Sequence, residues 1–200
     1  MFSTGLRVLL LALGAFAATP ALANLVTNGG FEDGFSGWKW NPTSSQSYLN
    51  PEARYAHTGS RSAETGCVGH DCVTTEGQGA YFGQTLNTVA GSHYLLSFWV
   101  GESYGPSSEL SVFWNGALIA DILNPANSTL PQAGMVRYAF SDLPATGPAT
   151  YFEIHGRQDP AWLFIDDVAV VAMPAASLPE HASLSLLALA LLGLCLARCR

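Results

Sequence analysis

The segment Ser111-Val112-Phe113-Trp114-Asn115-Gly116-Ala117-Leu118-Ile119-Ala120 reads as two short strands joined by a two-residue turn. Aromatic and branched side chains fill its flanks, and such residues fit a pleated, half-buried surface. Asn115-Gly116 suits a type I′ turn, which needs positive φ at both central positions. Working outward, Tyr94-Leu95-Leu96-Ser97-Phe98-Trp99-Val100 carries a period-two pattern in the same residue types. Further strands are expected over residues 135–140, 150–155 and 162–171, separated by turns that hold Pro or Gly. No convincing amphipathic helix and no internal repeat interrupt this series. The pattern predicts an all-β domain, an antiparallel β-sandwich or jelly roll.

Both ends of the 200-residue chain have a different character. Arg7 precedes an apolar run from Val8 to Ala18, and Ala21-Leu22-Ala23 supplies small residues at the two positions that signal peptidase reads. Residues 1–23 are therefore expected to be a secretory signal peptide, with the mature chain starting at Asn24. Residues 182–197 form an uncharged apolar run that ends at Arg198-Cys199-Arg200. As a helix it would be about 24 Å long, a short transmembrane span against a hydrocarbon core of about 30 Å. The terminal arginines would favour the cytoplasmic side, leaving the domain outside. The chain is thus expected to be exported through the inner membrane, and then held by its tail or released to the surface.

The segment between the ends, residues 24–173, is long enough for one domain with a substantial core. Its five basic residues (Lys39, Arg54, Arg61, Arg137, Arg157) face fourteen acidic ones. That balance argues against nucleic acid as a partner.

Three patterns invite chemistry. Gly101-Glu102-Ser103-Tyr104-Gly105 has the spacing of serine hydrolases, and Asp142 and His155 follow in the right order. A nucleophile elbow needs a helix directly after the serine, whereas Pro106-Ser107-Ser108 leads into a strand. A serine hydrolase is kept only as a third reading, and the domain is expected to be non-catalytic. Cys67 and Cys72 bracket a small turn in a protein bound for an oxidising compartment, which favours a loop-clamping disulfide. A zinc site built on Cys67, His70 and Cys72 would still lack a fourth ligand. Five tryptophans and seven tyrosines suggest sugar stacking. Among them Trp40, Tyr48, Tyr104 and Trp162 lie in or beside expected loops and are the candidate ligand-binding residues.

Two resemblances extend this reading. The Pro-rich spacer, the turn Pro179-Glu180-His181, the short apolar helix and the basic end resemble the PEP-CTERM sorting signal, although that family has Pro-Glu-Pro where this chain has Pro-Glu-His. The resemblance implies an exosortase-type processing enzyme as partner. Residues 174–181 would form the linker and sorting turn, and residues 182–200 the helix and basic terminus.

Asn24-Leu25-Val26-Thr27-Asn28-Gly29-Gly30-Phe31-Glu32 followed by Gly37-Trp38 resembles the opening of galactose-binding-like carbohydrate-binding modules. Ala56-His57-Thr58-Gly59-Ser60-Arg61-Ser62-Ala63 resembles their His-x-Gly-x-x-Ser segment, and Leu163-Phe164-Ile165-Asp166-Asp167-Val168-Ala169-Val170 resembles their closing strand. The resemblance implies that first and last strands lie together. It also implies a structural Ca²⁺ held by Glu32 and by Asp166 or Asp167, with carbonyls near Gly30 and Ser60-Arg61. Strand alternation allows only one of the two aspartates to face the metal, Asp166 being favoured. Trp38 matches the family's buried Gly-Trp position. The resemblance further implies a sugar site on the concave sheet or loop rim, and the chain as a whole is expected to serve the envelope or exopolysaccharide matrix with an extracellular polysaccharide as partner. A purely structural envelope protein that binds no sugar is the main alternative.

Overall fold

The computed structural model describes residues 23–41, 47–52, 55–67, 80–103, 108–125, 134–158 and 161–174. The expected signal peptide, Cys72, Tyr104, the sorting turn and the apolar tail helix lie outside these residues. No helix occurs among the described residues. Instead ten strands run in chain order: β1 Lys39–Asn41, β2 Ser47–Glu52, β3 Ser62–Cys67, β4 Ala80–Asn87, β5 His93–Glu102, β6 Ser108–Trp114, β7 Ala117–Leu123, β8 Val136–Pro144, β9 Ala149–Gln158 and β10 Leu163–Ala172.

The strands form two five-stranded antiparallel sheets, sheet A in the order β1-β4-β9-β6-β7 and sheet B in the order β2-β3-β10-β5-β8. The expected hairpin is β6–β7, and Asn115 and Gly116 take φ values of 53° and 80°. That is the left-handed pair a type I′ turn requires.

Period-two alternation decides which side chains meet between the sheets. In β9 Phe152 and Ile154 point inward, and in β5 Leu96, Phe98 and Val100 do the same. Phe31, Trp38 and Phe82 complete an aromatic cluster at one end. Trp38 stacks on Phe31 with ring centroids 5.0 Å apart, and its indole N–H donates to the Asn28 carbonyl. The buried tryptophan of the Gly37-Trp38 pair is therefore satisfied at its polar end as well as packed.

The chain's first described segment lies along the last strand. Leu25 N–H donates to the Val170 carbonyl, Val168 N–H donates to the Gly29 carbonyl, and the Asn24 side chain accepts from Val170 N–H. This pairing takes over where β3 leaves off, because β3 pairs β10 only over Leu163–Ile165. A β-bulge between Asp166 and Ala169 marks the handover, with Asp167 at φ 49°. Gly29 lies so close that a Cβ there would meet the Val168 carbonyl, so this approach requires glycine.

Candidate functional site

The inward turn of Phe152 and Ile154 forces Tyr151, Glu153, His155 and Arg157 onto the outer face of sheet A. Directly opposed residues share a face, so the registers place Tyr81 and Ser111 beside His155, and Gly83 and Phe113 beside Glu153. Three rings then form a row across three strands. Tyr81 stacks on His155 at 5.0 Å and 22°, and Phe113 approaches His155 from the other side at 4.7 Å and 53°. Tyr151 leans over Gly83, where an added Cβ would fall within 3 Å of its phenol oxygen and ring. Lys39 Nζ lies 5.3 Å from the centre of the same ring, within range of a cation–π contact.

Polar groups sit between these rings. His155 Nε2 and Glu153 Oε2 are 2.9 Å apart; the histidine is buried at 3% exposure, whereas the carboxylate is 24% exposed. Burial lowers the His155 pKa below its usual value, against the opposing pull of the Glu153 hydrogen bond and charge. Burial also pushes the Tyr151 phenol up to about 12, with Glu153 and Tyr81 adding to the rise. The phenol therefore stays a neutral donor and acceptor over ordinary pH. His155 Nδ1 and Arg157 Nε are buried without a hydrogen-bond partner among the described residues. A face with rings in a row and carboxylate, amine and guanidinium groups between them offers apolar stacking together with directional hydrogen bonding.

A second cluster binds the loop of residues 55–61 to the outer face of sheet B. Glu32 Oε1 accepts from Ser60 N–H at 2.6 Å and from Arg61 N–H at 2.8 Å. Asp166 Oδ2 accepts from His57 N–H at 2.7 Å and Thr58 N–H at 3.1 Å, while its Oδ1 accepts from Asp167 N–H. Asp167 receives the His57 Nδ1–H at 2.6 Å and the Thr58 hydroxyl at 2.7 Å. Alternation predicted that only one of the two aspartates would face a metal, and by the same rule only one would reach this loop. Both do, because the bulge and the positive φ of Asp167 break the alternation. Asp166 is fully buried by area, and that burial raises its carboxyl to about 6, against the lowering effect of the three N–H donors.

Glu32, Asp166 and Asp167 thus all serve one loop, and Gly30 lies beside two of them. A Cβ on Gly30 would come 3.6 Å from Asp167 Oδ1 and 3.8 Å from Asp166 Oδ1. Among the described residues no three acidic, His or Cys side chains come together as a metal centre. A Ca²⁺ at this loop would therefore take most of its six to eight oxygens from backbone and solvent.

Of the aromatic residues picked out in the sequence, Trp40 and Trp162 lie on different sheets. Trp40 is half exposed on β1, at the edge of sheet A, and lies against Phe35 at 5.5 Å. Trp162 is exposed just ahead of β10 in sheet B, and its backbone N–H and carbonyl are held by Ser103. Tyr48 lies on β2 opposite Gly66. The three hydrolase residues stay apart in their bonding: Ser103 Oγ joins Trp162, Asp142 pairs with His93, and His155 pairs with Glu153. Cys67 ends β3.

Tyr81, Phe113, Tyr151 and Glu153 are not marked by any sequence motif, and His155 only by the hydrolase pattern; all five lie within strands. One signal was available for them. In the expected strand over 150–155, Phe152 and Ile154 are the apolar set, so Tyr151, Glu153 and His155 form the opposite face.

No protein-family model matches the sequence, and no curated protein matches it. Solved structures do resemble the fold. TmCBM61 in complex with β-1,4-galactotriose aligns with a TM-score of 0.52 and 20% identity over 76% of this chain and 99% of that one. The CBM22-1 xylan-binding domain from Paenibacillus barcinonensis Xyn10C gives 0.53 and 18% over 80% of this chain and 100% of its own. A cyclase from Fischerella sp. TAU gives 0.55 and 16% over 78% of this chain and all of that chain. What these likenesses share with the chain is a fold, the antiparallel β-sandwich that carbohydrate-binding modules have.

Proposed function

We propose that the chain is an exported, non-catalytic carbohydrate-binding protein of the envelope or exopolysaccharide matrix, and that the outer face of sheet A receives the glycan. The observation that carries this reading is the pair of partly exposed rings Tyr81 and Phe113 on β4 and β6, which flank the buried His155 of β9, with Tyr151 and the partly exposed Glu153 beside them. An aromatic face packs against the apolar face of a pyranose, while carboxylate and guanidinium groups hydrogen-bond the hydroxyls in the ring plane. Carbohydrate-binding modules among the structures of like fold support the same reading.

The targeting part of the proposal rests on sequence. Residues 1–23 would direct export, and Pro179-Glu180-His181 with the apolar tail would engage an exosortase-type enzyme or leave the domain anchored in the membrane. A Ca²⁺ ion at the loop of residues 55–61 belongs to the same proposal, supported by the adjacent carboxylates of Asp166 and Asp167, with Gly30 beside both. Its role would be to brace that loop.

Affinity electrophoresis through gels containing galactan, xylan or other soluble polysaccharides tests the reading. Retardation of the wild type, lost in Tyr81→Ala and Phe113→Ala and retained in Trp162→Ala, is the expected result. A wild type that is retarded by no polysaccharide, including that of its own host, would favour the structural envelope reading.

A further inference from the structure

The face on sheet A contains a histidine that no sugar contact explains, because it is almost wholly buried. His155 lies between Tyr81 and Phe113 and meets Glu153 through Nε2. Its other nitrogen, Nδ1, has no hydrogen-bond partner among the described residues. A carboxylate only accepts, so Nε2 must carry the proton. Placing a second proton on Nδ1 would bury an N–H with nothing to receive it, at a cost that disfavours the charged ring. Burial lowers the ring's pKa in the same sense.

The consequence falls on Glu153. One of its oxygens, Oε2, is fixed by the imidazole, and the carboxylate is held between Phe113 on one neighbouring strand and Gly83, overhung by Tyr151, on the other. The side chain is 24% exposed, so its other oxygen can accept from a ligand. The charged groups around this pair are Lys39 on β1, Arg157 on β9, Glu109 on β6 opposite Arg157, and Asp121 on β7, which accepts from the Ser111 hydroxyl. Acidic groups predominate over basic ones on the face.

We propose that His155 is a positioning residue which, as a neutral Nε2–H imidazole, fixes the Glu153 carboxylate to accept hydroxyl donors, so that the face selects neutral, hydroxyl-rich glycans over uronate polymers. This rests on the glycan-binding reading for its ligand but not for the state of the ring. The imidazole is stacked between Tyr81 and Phe113, so Glu153 has less freedom to lose when a ligand arrives, which is how preorganisation raises affinity. A uronate carboxylate would meet Glu153 as a like charge.

Two measurements test it separately. Ring ¹⁵N shifts of the full chain without ligand, with His155 assigned by its absence in His155→Gln, should show the proton on Nε2 and titration below the usual histidine value of about 6.5. A proton on Nδ1, or titration at or above that value, would overturn the proposal whether or not any glycan binds. For binding, the probes are galactan, xylan and polygalacturonate. His155→Phe keeps a ring but loses the N–H donor and should weaken galactan or xylan binding about tenfold, the size expected for one hydrogen bond. His155→Gln keeps an N–H donor and should stay within about threefold of wild type. Equal losses in both variants, or tighter binding of polygalacturonate than of either neutral polymer, would refute it. Absence of binding to all three polymers would count against the glycan reading and leave the ring measurement to decide the state of His155.

Discussion

The imidazole of His57 lies flat on the indole of Trp99, with centroids 3.8 Å apart and planes inclined by 12°. His57 is on the loop of residues 55–61 and Trp99 on β5, so the stack ties a loop to the outer face of sheet B. Tyr55 adds a contact to Phe164 at 4.5 Å. Trp99→Ala removes the larger partner and should destabilise the domain by about 2 kcal/mol, from lost apolar area and ring pairing. Hydrogen exchange should rise at residues 57–61 more than at the centre of β9. Uniform protection in the variant would show that the stack does not hold the loop.

Glu32 gives a sharper lesion. Its Oε1 serves two backbone N–H groups, and Gly59, at φ 65°, leaves room for it; a Cβ on that residue would collide with the carboxylate. Glu32→Gln keeps a neutral acceptor and should cost little. Glu32→Ala leaves the donors of Ser60 and Arg61 to water and should cost about 1–3 kcal/mol. Chemical denaturation of the pair distinguishes them, and equal midpoints would mean that the acceptor contributes nothing.

Asp166 supplies a pH signature. Folding raises its carboxyl from 3.8 to about 6, so the folded protein holds this proton more tightly than the unfolded chain. The resulting stability is fully present below about 3.8 and is lost as pH rises through about 6. Asp166→Asn cannot titrate and should flatten that decline in melting temperature. Parallel profiles for variant and wild type would remove Asp166 as its source.

Calcium bound at the same loop would act in the opposite sense, since a cation favours the ionised carboxylates. Near neutral pH, added calcium chloride should raise the melting temperature and excess chelator should return it. Identical melting curves in calcium and chelator would take the ion out of the proposal.

The hairpin carries a prediction of its own. Gly116 sits at φ 80° with open space around its Cα. Gly116→Ala therefore acts through backbone strain alone, costing about 1 kcal/mol. A larger loss, measured by thermal melting, would imply contacts that the turn does not show.

Much of the sandwich was legible because alternation and turn chemistry are local. Asn115-Gly116 fixed one hairpin, and the apolar positions of β5, β9 and β10 were evident from their period. β4 was harder: Ala80-Tyr81-Phe82-Gly83-Gln84 places a buried glutamine on its inner face, where Gln84 exchanges hydrogen bonds with the backbone of Thr27, 57 residues away. No local pattern reports such a partner. The loop acids were recognisable from the resemblance, but the bulge that turns Asp167 toward His57 depends on the handover from β3 to the N-terminal segment. The aromatic face was missed for a related reason. Tyr81, Phe113 and Tyr151 become available through the outer side of a sheet, and which side is outer is decided by the packing of the two sheets.

The pairing of Leu25 with Val170 has a further consequence. It brings the domain's two ends together beside the C-terminal half of β10, with Asn24 bonded to Val170 and Met173 bonded to His93. A domain whose ends adjoin can be set into a surface loop of a host protein or circularly permuted without opening its core. Joining residue 173 to residue 24 through a short glycine linker, and cutting the Asn115-Gly116 turn, would convert the hairpin tip into new ends while leaving the pairing along β10 intact. In engineering terms the molecule is a cassette, with its attachment points side by side along the first and last segments.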